Sequence, residues 1–350
     1  MRIFVHDGDS LYNFHIMVAR VSKFIESTLN PANYHGQVLS PPFFEGWYFK
    51  AVDVTGQYRY AFIPGVFVGK TAEDSHAFVQ VLEGASSKVA YHRYPINQFW
   101  SAEDHFEIRI ADNFFSLDKI ELNIQNAEQR VKGVLKFIEP TGWPVRLFSP
   151  GVMGWYAWVP RMECYHGVLG FEHTVAGNLQ VDDQLIDFSV GKGYIEKDWG
   201  KAFPEAWVWM QSNHFSQPHV CLTASVAIIP WLGNAFAGFI VGLWQGGRLH
   251  RFATYANSKI LDLAVDDQHV SWQMHNKTHR LEIIATQAEG GLLHAPTPEG
   301  MGRRIAETLN ASIHTRLINL KTGEVEFDDT GKYAGLEAVG DLEKLIKMTV

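Results

Sequence analysis

The segment Gly193–Phe215, GYIEKDWGKAFPEAWVWMQSNHF, sets Glu196, Lys197, Asp198, Glu205 and His214 among Trp199, Trp207 and Trp209. A carboxyl group walled in by indole rings loses solvation of its charged form, so its pKa rises and it remains a proton donor near neutral pH. The faces of the same rings stabilise a cation formed beside them. An acid next to an aromatic wall is what protonation of an alkene requires. The same residues also read as a buried ion-pair cluster of Glu196, Lys197 and Asp198 joining two domains, because structural ion-pair networks perturb pKa values too. A third carboxyl lies upstream. In PPFFEGWYFK, Glu45 shares a strand face with Phe43, Trp47 and Phe49, and both a catalytic role and a carboxylate accepting buried backbone donors stay open for it.

Strands must position these groups. From Phe43 onward, short runs rich in Phe, Tyr, Val and Ile alternate with Asp, Asn and Gly turns, as in HFEIRIADN, FSLDKIELNIQ and QRVKGVLKFIE, the pattern of a β-meander. A second series follows the Trp-rich segment, and the two together predict an all-β chain of two antiparallel barrels or sandwiches side by side. Period-two alternation over PEAWVWMQSN places Glu205, Trp207, Trp209, Gln211 and Asn213 on one face, a pocket wall of indoles ending in amides. In GYIEKDWG it places Tyr194, Glu196 and Asp198 on one side and Ile195, Lys197 and Trp199 on the other. Two carboxylates on one face repel, so one of them holds a proton. Asp9 and Ser10 cap a short N-terminal helix in which Leu11, Phe14, Val18, Val21 and Ile25 recur at helical spacing, ended by Pro31. The expected divisions are a helical extension over 1–35, one β-domain over 36–192 and a second over 193–350.

Composition narrows the function. The chain has 350 residues, 46% hydrophobic, with a net charge of -8 and no basic run, which argues against a nucleic-acid partner. Cys164 and Cys221 fit neither a zinc spacing nor a disulfide framework. His269, His275 and His279 would share a strand face if HVSWQMHNKTH were unbroken, but Asn276 and Lys277 read as a turn, so no metal site is assigned. After Glu205 no Lys, Arg, Asp or Glu occurs until Arg248. Pro230 and Gly233-Asn234 interrupt that apolar run, which reads as a buried β-hairpin and not as a helix through lipid. His250, Arg251 and Tyr255 read as surface positions, and LHAPTPEGMGRR as a long Pro/Gly loop whose Arg303 and Arg304 are solvated.

The segments PANYHG, PPFFEGWYFK, GYIEKDWGKAFPEAWVWMQSNHF, LHAPTPEGMGRRIAETLNASIHTRL and AGLEAVG, in that order, closely resemble the tocopherol cyclase family. The resemblance runs from about Asn30 to the C-terminus and, with no plastid transit peptide recognisable, points to a bacterial member. It implies a pair of lipocalin-like β-barrels, shared distantly with carotenoid 1,2-hydratases and fungal Diels-Alderases. Those relatives carry an Asp-His-x-Trp-Gly type motif where this chain has Glu196-Lys197-Asp198-Trp199-Gly200. A histidine at the second position would be a ready acid/base. Lys197 stands there instead, so the acid role falls to a carboxyl or to His214.

The reaction implied by the resemblance closes a chromanol ring on a prenylated hydroquinone. An acid protonates the prenyl alkene and the phenolic oxygen captures the tertiary cation, with no cofactor. Asp198 is assigned as the donor, Glu196 as its partner and Glu45 as the alternate donor. Trp47, Trp199, Trp207 and Trp209 would line the cation site with Tyr194, Lys197 and Gln211, while Asn213 and His214 bind the quinol hydroxyls, His214 accepting the phenolic proton. The expected partner is a hydrophobic small molecule, drawn from a membrane that a cytoplasmic protein would touch peripherally. A hydratase or pericyclase acting on another terpenoid, and a lipophilic carrier without chemistry, stay open beside the cyclase. Oligomeric state is not legible.

Overall fold

The computed structural model describes residues 21–349. Most of the helix expected from Asp9 to Pro31 falls outside that range; within it, residues 21–29 are helical. The first sheet contains β1 (Phe43–Val52), β2 (Arg59–Val68), β3 (His76–Glu83), β4 (Lys88–Pro95), β5 (Phe99–Ser101), β6 (Glu107–Ile110), β7 (Asn113–Ser116), β8 (Lys119–Gln125), β9 (Arg130–Ile138), β10 (Cys164–Val181), β11 (Gln184–Asp187) and β12 (Gly191–Gly200). The second contains β13 (Trp207–Ser212), β14 (Val220–Trp231), β15 (Asn234–Gln245), β16 (Arg248–Ala253), β17 (Lys259–Val265), β18 (His269–His275), β19 (His279–Thr286), β20 (Gly291–Thr297), β21 (Gly300–Asn319) and β22 (Val325–Val339). All ladders are antiparallel. The chain is therefore all-β, with two lipocalin-like sheets, as the alternation predicts.

Alternation decides which side chains meet. In β18, HVSWQMH, every second residue is buried, and Val270, Trp272 and Met274 enter the core while the histidines face outward. Each sheet curls around its own interior: Val79 and Val81 of β3 share one core with Ile108 and Ile110 of β6, although these strands lie far apart in the sheet order. The second sheet does the same around Val226, Phe252, Leu263 and Trp272. A third cluster, with Tyr48, Tyr194, Trp207, Trp209 and Leu309, fills the seam where the outer faces of the sheets meet.

Three readings are corrected. A boundary at Gly193 falls inside β12, because GYIEKDWG completes the first sheet between β1 and β10; the chain crosses to the second sheet between Gly200 and Trp207. LHAPTPEGMGRR is not a loop but β20 and the start of β21, joined by a tight turn. His250 and Tyr255 are not surface residues: His250 is buried against the His279 ring, and the Tyr255 hydroxyl donates to the Val152 carbonyl. A short helix, Leu342–Lys347, closes the chain; Asp341 caps it by accepting from the Lys344 N–H. The charge-free run forms the hairpin β14–β15, buried at its base as read but exposed towards its tip, and no described helix is long and apolar enough to cross a membrane.

Candidate functional site

A cavity of about 190 Å³ lies in the seam, not inside either curled sheet. Its floor is the outward face of β1 and β12, with Tyr48, Glu196 and Asp198. Its opposite wall is β13, with Trp207 and Trp209, backed by Glu307 of β21 and Glu337 of β22. Phe44, Ile63, Phe78, Phe203, Met301 and Ile305 complete an apolar lining, and none of the described lining residues is a lysine or arginine. The strand parity read from sequence holds here. Trp207 and Trp209 face the seam, whereas Ala206, Val208 and Met210 enter the core of the second sheet. Gly335 lets Trp209 lie across β22, since a Cβ there would meet its indole at 2.7 Å.

Carboxyls gather in this apolar space. The Tyr194 hydroxyl donates to Glu196 Oε2 at 2.6 Å and the Trp209 indole donates to the same oxygen at 3.1 Å, across the seam. Burial pushes Glu196 up to about 7, with His166 opposing and the nearby Asp198 adding to the shift. On the facing wall Tyr48 donates to Glu307 Oε1 at 2.5 Å and Trp207 donates to Glu337 Oε2 at 2.6 Å. Glu307 and Glu337 are within hydrogen-bonding reach of each other. Burial first, and then its neighbour's charge, lifts Glu307 well above the carboxylate range. Burial lifts Glu337 to about 8, against the pull of the Trp207 hydrogen bond. Two carboxyls so placed ionise reluctantly, and burial favours their protonated forms near neutral pH.

His166, on β10 directly opposite Asp198 of β12, supplies an imidazole that the motif comparison placed elsewhere. Its Nδ1 is 2.9 Å from Asp198 and its Nε2 3.7 Å from Glu196. Burial disfavours its charge, but Asp198 and Glu196 outweigh that and raise it to about 9. The His166 imidazolium thus donates from Nδ1 to Asp198 Oδ1. His166, Glu196 and Asp198 also bring one potential ligand atom each to within 4.8 Å of one another. Their donors and acceptors are already engaged with each other and with Tyr194 and Trp209.

Several expected site residues lie elsewhere. Glu45 is fully buried but on the opposite face of β1, where Lys197 Nζ stands 2.5 Å away and the His35 backbone N–H donates to both carboxylate oxygens at 2.8 and 3.0 Å. Burial raises a carboxyl pKa, but Lys197 and His35 outweigh it and hold Glu45 below its usual range. Glu45 is therefore an ion-pair partner and not a donor. Lys197 sits over the faces of Trp47 and Trp199 at 4.6 and 4.8 Å. Burial lowers it to about 8 against the pull of Glu45, so it serves this cluster and does not touch the cavity. Trp47 borders the cavity, yet its indole stacks on Phe106 and donates to the Ala32 carbonyl. Trp199 stacks on His35 and Tyr165 beside a separate outer cleft, which shares Met153, Met162, Tyr165 and His166 with the cavity.

The amides and the histidine at the end of β13 are also displaced. Gln211 accepts from Lys50 at 3.0 Å, and Asn213 donates to the Gly193 carbonyl at 2.8 Å. His214 bridges Lys332 and meets Tyr333 edge-on; burial, with Lys50 and Lys192 nearby, strongly lowers its pKa. None of the three lines the cavity. Tyr194 acts one step back, donating to Glu196 and so orienting it, with Thr223 Oγ1 3.1 Å from the same hydroxyl. The turn expected between His275 and His279 is present, and His279 pairs with Glu326 at 3.0 Å.

A family model described as tocopherol cyclase-like matches residues 136–340, more than half of the chain. The chain belongs to that family. The matched stretch contains His166, Glu196, Asp198, Glu307 and Glu337, and leaves out Glu45 and Trp47. A chloroplastic tocopherol cyclase of Zea mays is 24% identical, over 88% of this chain and 77% of the maize protein. Among solved structures, the fold is similar to CghA in complex with Sch210972, with a TM-score of 0.52 and 11% identity over 87% of this chain and 90% of that one. Kievitone hydratase from Nectria haematococca superposes with a TM-score of 0.50 and 11% identity over 85% and 89% of the two chains. Glu307 and Glu337, missed in the sequence, lie in RRIAETLN and AGLEAVG, where each is the one acid of its segment, flanked on both sides by small or aliphatic residues or threonine. That isolation was the available signal. His166 carried none until strand pairing placed it against Asp198.

Proposed function

We propose that this chain closes a chromanol ring on a prenylated hydroquinone by acid catalysis. The observation that carries the reading is the pairing of Glu307 with Glu337 in a cavity walled by Trp207, Trp209, Tyr48 and Phe44, where burial keeps a proton on the pair. The pair delivers that proton to the less substituted carbon of the prenyl alkene, forming a C–H bond and a tertiary cation. The indoles of Trp207 and Trp209 and the carboxylate left behind stabilise the cation. A lone pair of the phenolic oxygen forms the C–O bond. The phenolic proton passes to Glu196, which its pKa of about 7 suits to accept it. Product and substrate are isomers, and the proton gained by Glu196 restores the acid pair between turnovers. The donor role first given to Asp198 moves to Glu307 and Glu337; Asp198 instead holds His166, whose positive charge keeps Glu196 competent as a base.

The test is turnover of a prenyl-hydroquinone by Glu307→Gln, Glu196→Gln and Asp198→Asn variants, read by mass spectrometry as an isomer of unchanged mass. Glu307→Gln abolishes product and Asp198→Asn slows it. Full turnover by Glu307→Gln with loss in Asp198→Asn would return the acid to Asp198. A second reading is a hydratase, favoured by the His166–Asp198 pair beside the same cavity, which would orient a water in place of the phenol. A gain of one water in the product decides for it.

A further inference from the structure

Strands β14 and β15 pair along their whole length, but their neighbours stop short. β13 covers β14 only over Leu222–Ala227, and β16 covers β15 only over Ile240–Gln245. Residues 228–239 therefore leave the sheet as a two-stranded ribbon, IIPWLGNAFAGF, without a single charged residue. A free ribbon in water is ordinarily blunted with lysine or other charges. At its tip Leu232 is 89% exposed. Leu232 and Gly233 hold the two positive φ angles of the tight turn, 48° and 83°, and Asn or Gly is the unstrained choice at the first. A leucine is thus kept where it strains the backbone and finds nothing among the described residues to cover it.

The ribbon's inner side belongs to the cavity. Ile229, Phe236 and Gly238 line it, and the Tyr156 ring meets Trp231 at 5.8 Å and Phe236 at 6.1 Å. Tyr156 also stacks at 4.1 Å on Trp155, which is 45% exposed. Aliphatic tip, aromatic collar and cavity mouth lie together.

We infer that this ribbon docks the protein on a lipid bilayer. Leu232, with Pro230 and Ala235 beside it, enters the boundary between headgroups and acyl chains, and Trp155, Tyr156 and Trp231 rest at the interface that such amphipathic rings favour. The outer edges of the ribbon carry backbone groups without strand partners, so it stays at the depth where water still reaches them. A protein partner or a second copy seated here would plug the cavity at Ile229 and Phe236; a bilayer instead opens it to apolar molecules. That an alkene-bearing quinol is what enters rests on the proposed function, whereas the docking itself does not.

Flotation of the intact protein with phosphatidylcholine vesicles tests it. Wild type floats, Leu232→Asp lowers the partition coefficient by about tenfold or more, and Leu185→Asp, at a 66% exposed leucine of the first sheet, leaves it unchanged. Failure of wild type to float, or equal flotation of Leu232→Asp, overturns the inference. So does conversion of a dimer to a monomer by Leu232→Asp in light scattering without any vesicle binding, which would make the ribbon a contact between copies. Turnover separates this from the reading it builds on. With prenyl-hydroquinone in detergent micelles Leu232→Asp keeps the wild-type rate, and with substrate in vesicles the rate falls about as far as the partition does. Flotation that depends on Leu232 without turnover of any quinol sinks the cyclase and upholds the docking.

Discussion

Replacing Lys197 with methionine tests whether Glu45 is half of a structural ion pair. Both side chains are wholly buried, 2.5 Å apart, and the variant strips Glu45 of its cation while keeping the volume of the stem. Removing one partner of such a pair costs about 3–5 kcal/mol, out of a total stability of roughly 5–15 kcal/mol. The structure sets the cost at the lower end, because the His35 backbone N–H still donates to both oxygens of Glu45. It also gives the cost a pH dependence. In the native protein burial and Lys197 lower the pKa of His35, whose Nδ1 lies 3.2 Å from Glu45. Without Lys197 that imidazole keeps the opposition of burial but loses that of the cation, so its folded pKa rises relative to wild type. The variant therefore gains protonation, and with it partial compensation, as pH falls towards the His35 range, and loses it as pH rises. Urea unfolding followed by tryptophan fluorescence should show Lys197→Met destabilised by about 3 kcal/mol at pH 8 and by less at pH 6. The double variant Glu45→Gln/Lys197→Met should recover most of the loss. A cost below about 1 kcal/mol, with no dependence on pH, would refute the buried pair. Glu45→Gln that folds normally yet makes no product would show that Glu45 is the acid after all.

The acid pair predicts a pH profile. Glu337 titrates near 8 and Glu307 above its usual range, so kcat/KM should fall about tenfold per unit once pH exceeds the pKa of the pair, and a flat profile from pH 7 to 10 would argue against a carboxylic donor. Glu337→Gln should move or remove that limb; an unchanged limb excludes Glu337. The same two groups lower stability as pH rises from the unfolded carboxyl pKa towards their raised folded values, so Glu337→Gln should be relatively more stable than wild type at pH 9 than at pH 5, by thermal unfolding. Gly335→Ala should push Trp209 off β22 and lower turnover about tenfold or more, with little change if the indole plays no part. Trp272→Ala, deep in the second core and away from the cavity, should cost about 3–5 kcal/mol while leaving the turnover of the folded fraction intact.

Alternation carried the reading a long way. It separated the faces of β1, β12 and β13, and so grouped Glu196 with Asp198 and Trp207 with Trp209, and set Lys197 on the other side of β12, although Lys197 was still assigned to the site. It could not say which face of each sheet meets the other. For that reason Glu45, on the inward face of β1, looked as eligible as Glu196 on the outward face of β12. Asn213 was placed by parity and His214 by its chemistry, but past the end of β13 the backbone and side-chain contacts tie them to Gly193 and Lys332. Glu307 and Glu337 lay in plain sight, each the one acid of the segments RRIAETLN and AGLEAVG, yet their meaning depends on a contact with Tyr48, 259 residues distant from Glu307. The His166–Asp198 pair needed the same kind of long-range register, and no spacing rule within one strand encodes it.

Because the cavity is a seam, its two walls are anchored in separate hydrophobic interiors. Glu196 and His166 move with one half of the molecule, Glu307 and Glu337 with the other. A slight slide of one half over the other would alter the gap between acid and base while leaving both interiors undisturbed. Substitutions along the contact line, even far from any carboxyl, can therefore retune which carbon skeleton fits without touching the residues that handle protons. Two self-contained folds meeting over a shared reaction space make substrate range adjustable by alignment.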